Sequence, residues 1–165
     1  MKPAESALPD SKSDESFMRT ALAEAAKAAK KGEIPVGAVV VHDREIKAAA
    51  HNQKESLEDP TAHAEVLAIR EACAAAGTWH LDGATLFVTK EPCPMCAGAI
   101  VQARIGRVVF GASDPKSGAA GSVLNLLDHK LLNHRADVVQ GVCERDSRDL
   151  LQVFFKKLRH GKNSE

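Results

Sequence analysis

The chain has 165 residues, a length typical of one domain with a single hydrophobic core. Its 22 Lys and Arg residues balance its 22 Asp and Glu residues, so net charge alone indicates neither a nucleic-acid nor a membrane partner. Four cysteines are too few for a disulfide-stapled scaffold, and no apolar run approaches the ~20 residues that cross a bilayer. No charged-then-apolar leader opens the chain either, and we predict a soluble, cytoplasmic protein.

Hydrophobic periodicity predicts that helices and strands alternate along the chain. Phe17, Ala21 and Ala25 recur at helical spacing, while the apolar run from Val36 to Val41 is typical of a strand buried on both faces. Such alternation indicates an α/β domain over residues 15–160, with helices on both faces of one sheet. The approximate elements are a disordered polar tail (1–14), a helix (15–31), two strands (36–41 and 45–51), a helix (61–76), a strand (84–89), a helix (94–103), a strand (107–111), a short helix (123–127), a strand (137–142) and a final helix (145–159).

Two short stretches concentrate side chains that bind metals. In the first, Asp59 is placed to cap the helix predicted from Thr61, which puts His63 and Glu65 in its first turn. In the second, Cys93 and Cys96 stand at i, i+3 spacing where another helix begins, with Pro94 between them. A helix N-terminus lowers the pKa of a thiol, and the thiolate is the form that binds metal. We therefore expect both helix starts to face one ion.

One imidazole and two thiolates suit zinc and leave its fourth position open for a water. Glu65 lies two residues beyond His63 and can move protons for that water instead of binding the metal. The pattern therefore predicts a zinc hydrolase that deaminates a nucleobase. Two other interpretations remain open at this point. A redox dithiol would leave His63 and Glu65 without a role, and a structural zinc would need a fourth ligand, for which His51, His80, His129 and His134 are candidates.

The final predicted helix combines an apolar stripe with positive charge at its end. Leu150, Phe154 and Leu158 recur every four residues, and the basic residues Lys156, Lys157 and Arg159 follow or interrupt them. These cations are candidates for contacts with RNA phosphates. They are equally consistent with a solvated helix end whose charges favour the helix dipole.

The two stretches resemble the His-x-Glu and Pro-Cys-x-x-Cys signature of the zinc nucleobase deaminases. Within that group the chain is most similar to the bacterial tRNA-specific adenosine deaminases, over about residues 17–158. The metal motif is shared by the whole group, and other segments carry the closer likeness. These segments are 34–38 (IPVGA), Asn52, 59–65 (DPTAHAE), 91–100, 104–112 (RIGRVVFGA), 114–122 (DPKSGAAGS) and 132–135 (LNHR).

The resemblance implies hydrolysis of adenosine to inosine at the wobble position (position 34) of a tRNA anticodon, with release of ammonia. It also implies a three-layer α/β/α fold of the cytidine-deaminase type with a five-stranded mixed sheet, one Zn²⁺ per subunit, and a homodimer whose subunits both touch the RNA. Carried over by position, His63, Cys93 and Cys96 would hold zinc and Glu65 would shuttle protons. The implied substrate contacts are Asn52 to the flipped base, Pro35, Val36 and Ala64 around that base, and Asp114 with its loop to the neighbouring nucleotides. Possible contacts to the RNA backbone are Lys116, Lys156, Lys157 and Arg159.

The chain departs from the family pattern at two positions. His51 stands where a large aromatic residue often precedes the asparagine, and Ser113 replaces a basic residue before Asp114.

Two competing functions also remain open. A small-molecule deaminase (guanine or cytosine type) is favoured if the loop 114–122 closes the pocket, and a non-catalytic zinc domain that binds RNA would not need Glu65.

Overall fold

A computed structural model describes residues 11–162, with side chains described from Asp14 onward. The helices and strands follow one another in the predicted alternating order. They are α1 (Ser11–Lys30), β1 (Gly37–His42), β2 (Glu45–His51), α2 (Ala64–Ala76), β3 (Thr85–Lys90), α3 (Pro94–Gln102), β4 (Arg107–Ala112), β5 (Asp137–Gln140) and α4 (Glu144–Lys162). No helix in the described range 11–162 is long and apolar enough to cross a membrane.

The five strands form one mixed sheet in the order β2-β1-β3-β4-β5, which confirms the predicted fold. β1 pairs antiparallel with both β2 and β3, whereas β3, β4 and β5 run parallel to one another. Asp43 and Arg44 both have positive φ angles in the two-residue β1–β2 turn, as a tight hairpin with right-handed strand twist requires. Because β3 and β4 are parallel, their carboxyl ends meet at one edge of the sheet, where the cysteine segment and the loop at Asp114 begin.

Helices cover both faces of the sheet, so the core has two parts. On one face α2 and α3 pack against alternate strand residues such as Val40, Leu86 and Val108. On the other face, Met18 and Ala21 of α1 pack against the intervening residues of the same strands, such as Phe87. This alternation follows the period of two along a strand. The strong predicted strands are therefore buried on both faces, as their continuous apolar runs indicated.

Several predicted boundaries and one predicted element differ from the structure, and the last strand and the last helix end at Gln140 and Lys162. The first helix begins at Ser11, so the last four residues assigned to the tail are helical, and the remainder of that tail lies outside the described residues. The second helix begins at Ala64, because Asp59 accepts the N–H and hydroxyl of Thr61 in a separate turn and does not cap the helix. The predicted helix over 123–127 is wrong.

The segment 123–127 folds back on the loop before it. The N–H groups of Val123 and Leu124 both donate to the carbonyl of Gly118, and that of Leu126 donates to Ala119. These N–H groups are paired with carbonyls five to seven residues earlier in the chain, and not four residues earlier as in an α-helix. A segment of five residues, four of them apolar, is too short to be stable as a helix on its own.

The last helix packs less tightly than its apolar stripe predicted. Ser147 is its one buried residue, held close to a glycine of β4, Gly111. Leu150 and Phe154 are half-buried, and Leu158 is 48% exposed. The second half of α4 therefore presents apolar side chains beside the sheet edge that carries the cysteine segment.

Candidate metal centre and active site

His63, Cys93 and Cys96 come together where two helices begin. His63 is the N-cap residue of α2 and Cys93 is the N-cap residue of α3, with Pro94 at the first helical position and Cys96 in the first turn. The predicted position in the first helical turn is thus correct for Cys96, whereas His63 and Cys93 each lie one residue before the helix begins. The Nδ1 atom of His63 lies 3.7 Å from Sγ of Cys93 and 3.5 Å from Sγ of Cys96.

These separations fit a shared tetrahedral ion. Bonds of about 2.0 to 2.3 Å from an ion to nitrogen and sulfur place neighbouring ligand atoms ~3.6 Å apart. The three ligand atoms lie within 4.8 Å of one another, and no other group of three such side chains occurs in the part of the chain that the structure describes. The donor set therefore suits a metal ion with a free coordination position.

None of the four histidines considered as a fourth ligand joins this group. His51 pairs with Glu24, His80 pairs with Asp82, and the ring of His134 contacts the carbonyl of Ile105. The ring of His129 accepts the N–H of Leu131. A closed four-ligand structural site is therefore not formed by the described histidines.

The two cysteines differ in how readily they lose a proton. A hydrogen bond from Cys96 lowers the pKa of Cys93 to about 4, with further help from His63 and the Cys96 N–H. The same hydrogen bond, together with burial, raises the pKa of Cys96. The hydrogen bond with Cys93 also raises the pKa of His63. Cys93 is thus the more readily ionised of the two cysteines, and the thiolate is the form that binds a metal ion.

Glu65 lies beside this group and is almost completely buried. The residue is 4% exposed and lies in the first turn of α2, two positions after His63. Burial raises the pKa of this carboxyl group, although a hydrogen bond with Cys96 opposes the shift. A carboxylate whose pKa is raised is a better proton acceptor, which is what a proton shuttle requires.

A cavity of about 540 Å³ opens onto the metal group. His63, Glu65 and Cys93 lie in its wall, together with three of the predicted substrate residues: Val36, Asn52 and Asp114. The other two, Pro35 and Ala64, are buried next to lining residues and are not themselves part of the wall.

Two buried carboxylates that sequence reasoning left without a role shape this cavity. Glu33 is 1% exposed, and its carboxylate accepts the N–H groups of Glu55 and Ser56, which fixes the loop before α2. Glu91 is 3% exposed and accepts the N–H groups of Ala120 and Ser122 on the loop after β4. Glu91 directly follows β3, and Glu33 lies four residues before β1, so their placement near apolar strands was the available signal.

Asp114 is held by its own loop. Its Oδ1 atom accepts the N–H groups of Lys116 and Ser117, and its Oδ2 atom accepts the Ser117 hydroxyl at 2.6 Å. Lys90 forms an ion pair with the same Oδ2 at 3.1 Å. Burial alone would raise the pKa of Asp114, but these contacts outweigh it and bring the pKa to about 2. Asp114 is therefore ionised, and the loop is rigidly tied to the cavity wall.

The predicted RNA-contacting cations are all exposed. Lys116 lies on the loop after β4, and Lys156, Lys157 and Arg159 lie on α4. Three apolar side chains of the same helix line the metal cavity: Phe154, Phe155 and Leu158. The structure thus brings α4 to the mouth of the cavity.

Comparisons with known proteins agree with this geometry. The sequence profile of the MafB19-like deaminase family matches residues 12–159. The chain is 54% identical to a tRNA-specific adenosine deaminase of Bacillus subtilis over 151 residues, covering 92% of this chain and 94% of that one.

Two solved structures extend the comparison. A tRNA deaminase studied for A-to-I editing at the wobble position of transfer RNA is 46% identical, with a TM-score of 0.80 over 82% of this chain and 99% of that chain. A guanine deaminase from Bacillus subtilis is 43% identical, with a TM-score of 0.59 over 65% of this chain and 69% of that chain. The small-molecule alternative is therefore not the favoured one.

The layered fold, the three-ligand group and the buried carboxylate define a deaminase with a site for a metal ion. The 54% sequence identity over 92% of this chain narrows the class of deaminase to one family. The chain belongs to the family of tRNA-specific adenosine deaminases.

Proposed function

We propose that this protein is a zinc-dependent enzyme that hydrolyses adenosine to inosine at the wobble position of a tRNA anticodon and releases ammonia. The observation that carries the proposal is the group of His63, Cys93 and Cys96 with Glu65 buried beside it, in a chain with 54% identity to a tRNA-specific adenosine deaminase. A thiolate–imidazole set with three ligands is typical of catalytic zinc. We expect one Zn²⁺ per subunit.

Zinc bound by these residues would supply a water whose pKa is close to 7, and so a nucleophile at neutral pH. Glu65 would accept a proton from the attacking water, because its carboxylate is buried and its pKa is raised. It would then donate that proton to the ring nitrogen next to the amino-bearing carbon. A second transfer through the same carboxylate would protonate the amino group, which leaves as ammonia. Glu65 thus acts as both base and acid.

Asn52 would hold the base during these transfers. Its amide oxygen accepts the N–H of Ala64 at 2.8 Å, so its NH₂ group is the end that can donate to a ring nitrogen of adenine. Val36 lines the same cavity and offers an apolar wall, with Pro35 and Ala64 buried behind it. The cavity of about 540 Å³ accommodates a purine nucleoside with space for the adjoining backbone.

An anticodon loop suits a cavity of this kind, because its bases are already unpaired and extruding one costs little free energy. Phe154 and Phe155 line the cavity from α4, and aromatic rings are common stacking platforms for neighbouring bases. The exposed cations Lys116, Lys156, Lys157 and Arg159 are the candidates for phosphate contacts. We propose in addition that the enzyme works in the cytoplasm as a homodimer, and that a single deaminase domain over 15–160 carries the reaction.

The test is deamination of an anticodon stem-loop with adenosine at the wobble position. Purified protein supplied with zinc is incubated with the RNA, which is then digested to nucleosides and analysed by mass spectrometry. We expect inosine at that position, and far less inosine from the matched Glu65→Gln variant at the same enzyme concentration and reaction time. Zinc-loaded protein that leaves the adenosine intact would refute the proposal, and sedimentation of the same preparation would show whether it is a dimer.

A further inference from the structure

Lys90 is a charged residue of the active-site wall to which the proposed reaction assigns no role. It is the last residue of β3, and its side chain points to the same face of the sheet as Leu86 and Val88. That face carries α2 and α3, whose N-termini hold the metal group. Lys90 accordingly lines the cavity together with His63 and Glu65. Its ammonium group is therefore positioned to meet whatever enters the cavity.

The carboxylates around Lys90 are largely occupied by backbone N–H groups. Glu33 binds the loop before α2, and Glu91 binds the loop after β4. Asp114 receives two N–H groups and a hydroxyl from its own loop, in addition to Lys90. Of the remaining cavity carboxylates, Glu65 is buried at the metal group, and Glu55 is adjacent in sequence to Lys54, which also lines the cavity.

Lys90 retains capacity to bind a further anion. An ammonium group has three N–H donors, and the ion pair with Asp114 at 3.1 Å uses one direction. The Lys90 side chain is 32% exposed and lines the cavity, so it remains accessible to an anion that enters the cavity. The ion pair also restrains a long, flexible side chain at the site, which reduces the entropy that would be lost when an anion binds.

We propose that Lys90 binds a backbone phosphate of the RNA next to the adenosine held in the cavity. The inference rests on the proposed function, since it needs a polynucleotide substrate. A lysine ammonium is a compact point charge that pairs well with phosphate oxygens. Lys90 would thus favour a nucleotide within a chain over a free base, and it would do so from inside the cavity, independently of the cations on α4.

The test pairs changes in the protein with changes in the RNA. Anticodon stem-loops are synthesised with one neutral methylphosphonate in place of each phosphate flanking the wobble adenosine in turn, and kcat/KM is measured for wild type and Lys90→Met. We expect one modified phosphate to lower the wild-type value roughly tenfold. On unmodified RNA, Lys90→Met should have a kcat/KM lower than that of wild type by a similar factor. Neutralising that same phosphate should then cause no further loss of kcat/KM in Lys90→Met. Its log–log dependence of kcat/KM on salt should also be shallower by about 0.7 to 1.

Lys47→Met is the matched control, because Lys47 is likewise ion-paired, with Glu45 at 2.8 Å, but does not line the cavity. It should keep wild-type activity and respond to every modified phosphate as wild type does. If Lys90 only fixes the Asp114 loop, Lys90→Met will lose the same factor in kcat/KM relative to wild type on every RNA. Its salt dependence will then equal that of wild type, and this result would overturn the inference. Lys90→Arg, which keeps the charge, guards against misfolding: its failure to retain the phosphate dependence would also count against the inference. Wild-type protein inactive on every stem-loop would instead refute the proposed function itself, and this inference with it.

Discussion

The amide oxygen of Asn52 accepts the backbone N–H of Ala64 at 2.8 Å, which joins the end of β2 to the start of α2. The N-cap residue of α2, His63, makes no side-chain capping hydrogen bond of its own. Asn52, which directly follows β2, therefore caps the helix that presents both His63 and Glu65. One amide group thus supports the metal site with its oxygen and leaves its NH₂ group for the substrate.

These two roles of Asn52 are separable by substitution. Asn52→Asp keeps an oxygen for the Ala64 N–H, and a negative charge at a helix N-terminus is favourable, so we expect stability within about 0.5 kcal/mol of wild type or higher. Asn52→Ala should lose about 0.5 to 2 kcal/mol. Both should lose roughly a hundredfold or more in kcat/KM, since neither can donate to the base. Urea unfolding and single-turnover kinetics on the stem-loop measure the two effects, and an active Asn52→Asp enzyme would exclude the donor role.

Glu65 and the metal ligands should fail in different ways. Glu65→Gln is expected to bind zinc normally yet lose about 10² to 10⁴ in kcat, the usual contribution of a general acid–base group. Cys93→Ala should lose both the metal and the activity, because one thiolate and one imidazole cannot hold the ion alone. Zinc content by atomic emission, together with kcat, distinguishes them. A fully active variant without metal would rule out the metal's catalytic role.

Metal binding should strengthen as the pH rises. The pKa of Cys96 is raised by its hydrogen bond with Cys93 and by burial, and the pKa of His63 is raised by its hydrogen bond with Cys93. Both groups must be deprotonated to bind the ion, so zinc displaces protons and its affinity falls when the pH is lowered. Calorimetric titration in buffers of different ionisation enthalpy should report proton release at neutral pH. Proton uptake, or an affinity independent of pH between about 6 and 8, would contradict this assignment of ligands.

Gly118 is needed because the buried carboxylate of Glu91 approaches it closely. A Cβ atom at Gly118 would lie 2.1 Å from Oε2 of Glu91 and 2.6 Å from the carbonyl of Asp114. Gly118→Ala must therefore displace the loop that forms the cavity wall, and we expect a loss of about 1 to 3 kcal/mol in stability and reduced activity. Gly106→Ala is the control, because its Cβ would meet only the Ala84 carbonyl at 3.9 Å. Equal unfolding midpoints for the two variants would disprove the close approach.

Much of the fold was predictable because its strands are apolar and its helices are periodic. The run Val36–Val41 and the segment Arg107–Gly111 identify central strands, and the order of elements then specifies the layered architecture. The predicted short helix at 123–127 was wrong because carbonyls of the loop before it, such as that of Gly118, accept the N–H groups of this segment. A local pattern does not contain this information.

The metal group was predictable because its residue types are chemically specific at their spacing. His63, Cys93 and Cys96 are recognisable in the sequence, because few functions other than metal binding combine a histidine with two cysteines at this spacing. Glu33 and Glu91 do not stand out, because glutamates are usually on the surface and only the tertiary structure shows that these two accept backbone N–H groups. The role of Lys90 depends in the same way on its neighbours in space, Asp114 above all.

The most direct test of the account is a comparison of substrates under identical conditions. We would measure kcat/KM of the zinc-loaded protein for the anticodon stem-loop with a wobble adenosine, for free adenosine, and for guanine and cytosine. We expect the stem-loop to be the best of these substrates, since contacts outside the base contribute to transition-state binding. A higher kcat/KM for free adenosine, guanine or cytosine than for the stem-loop would contradict it.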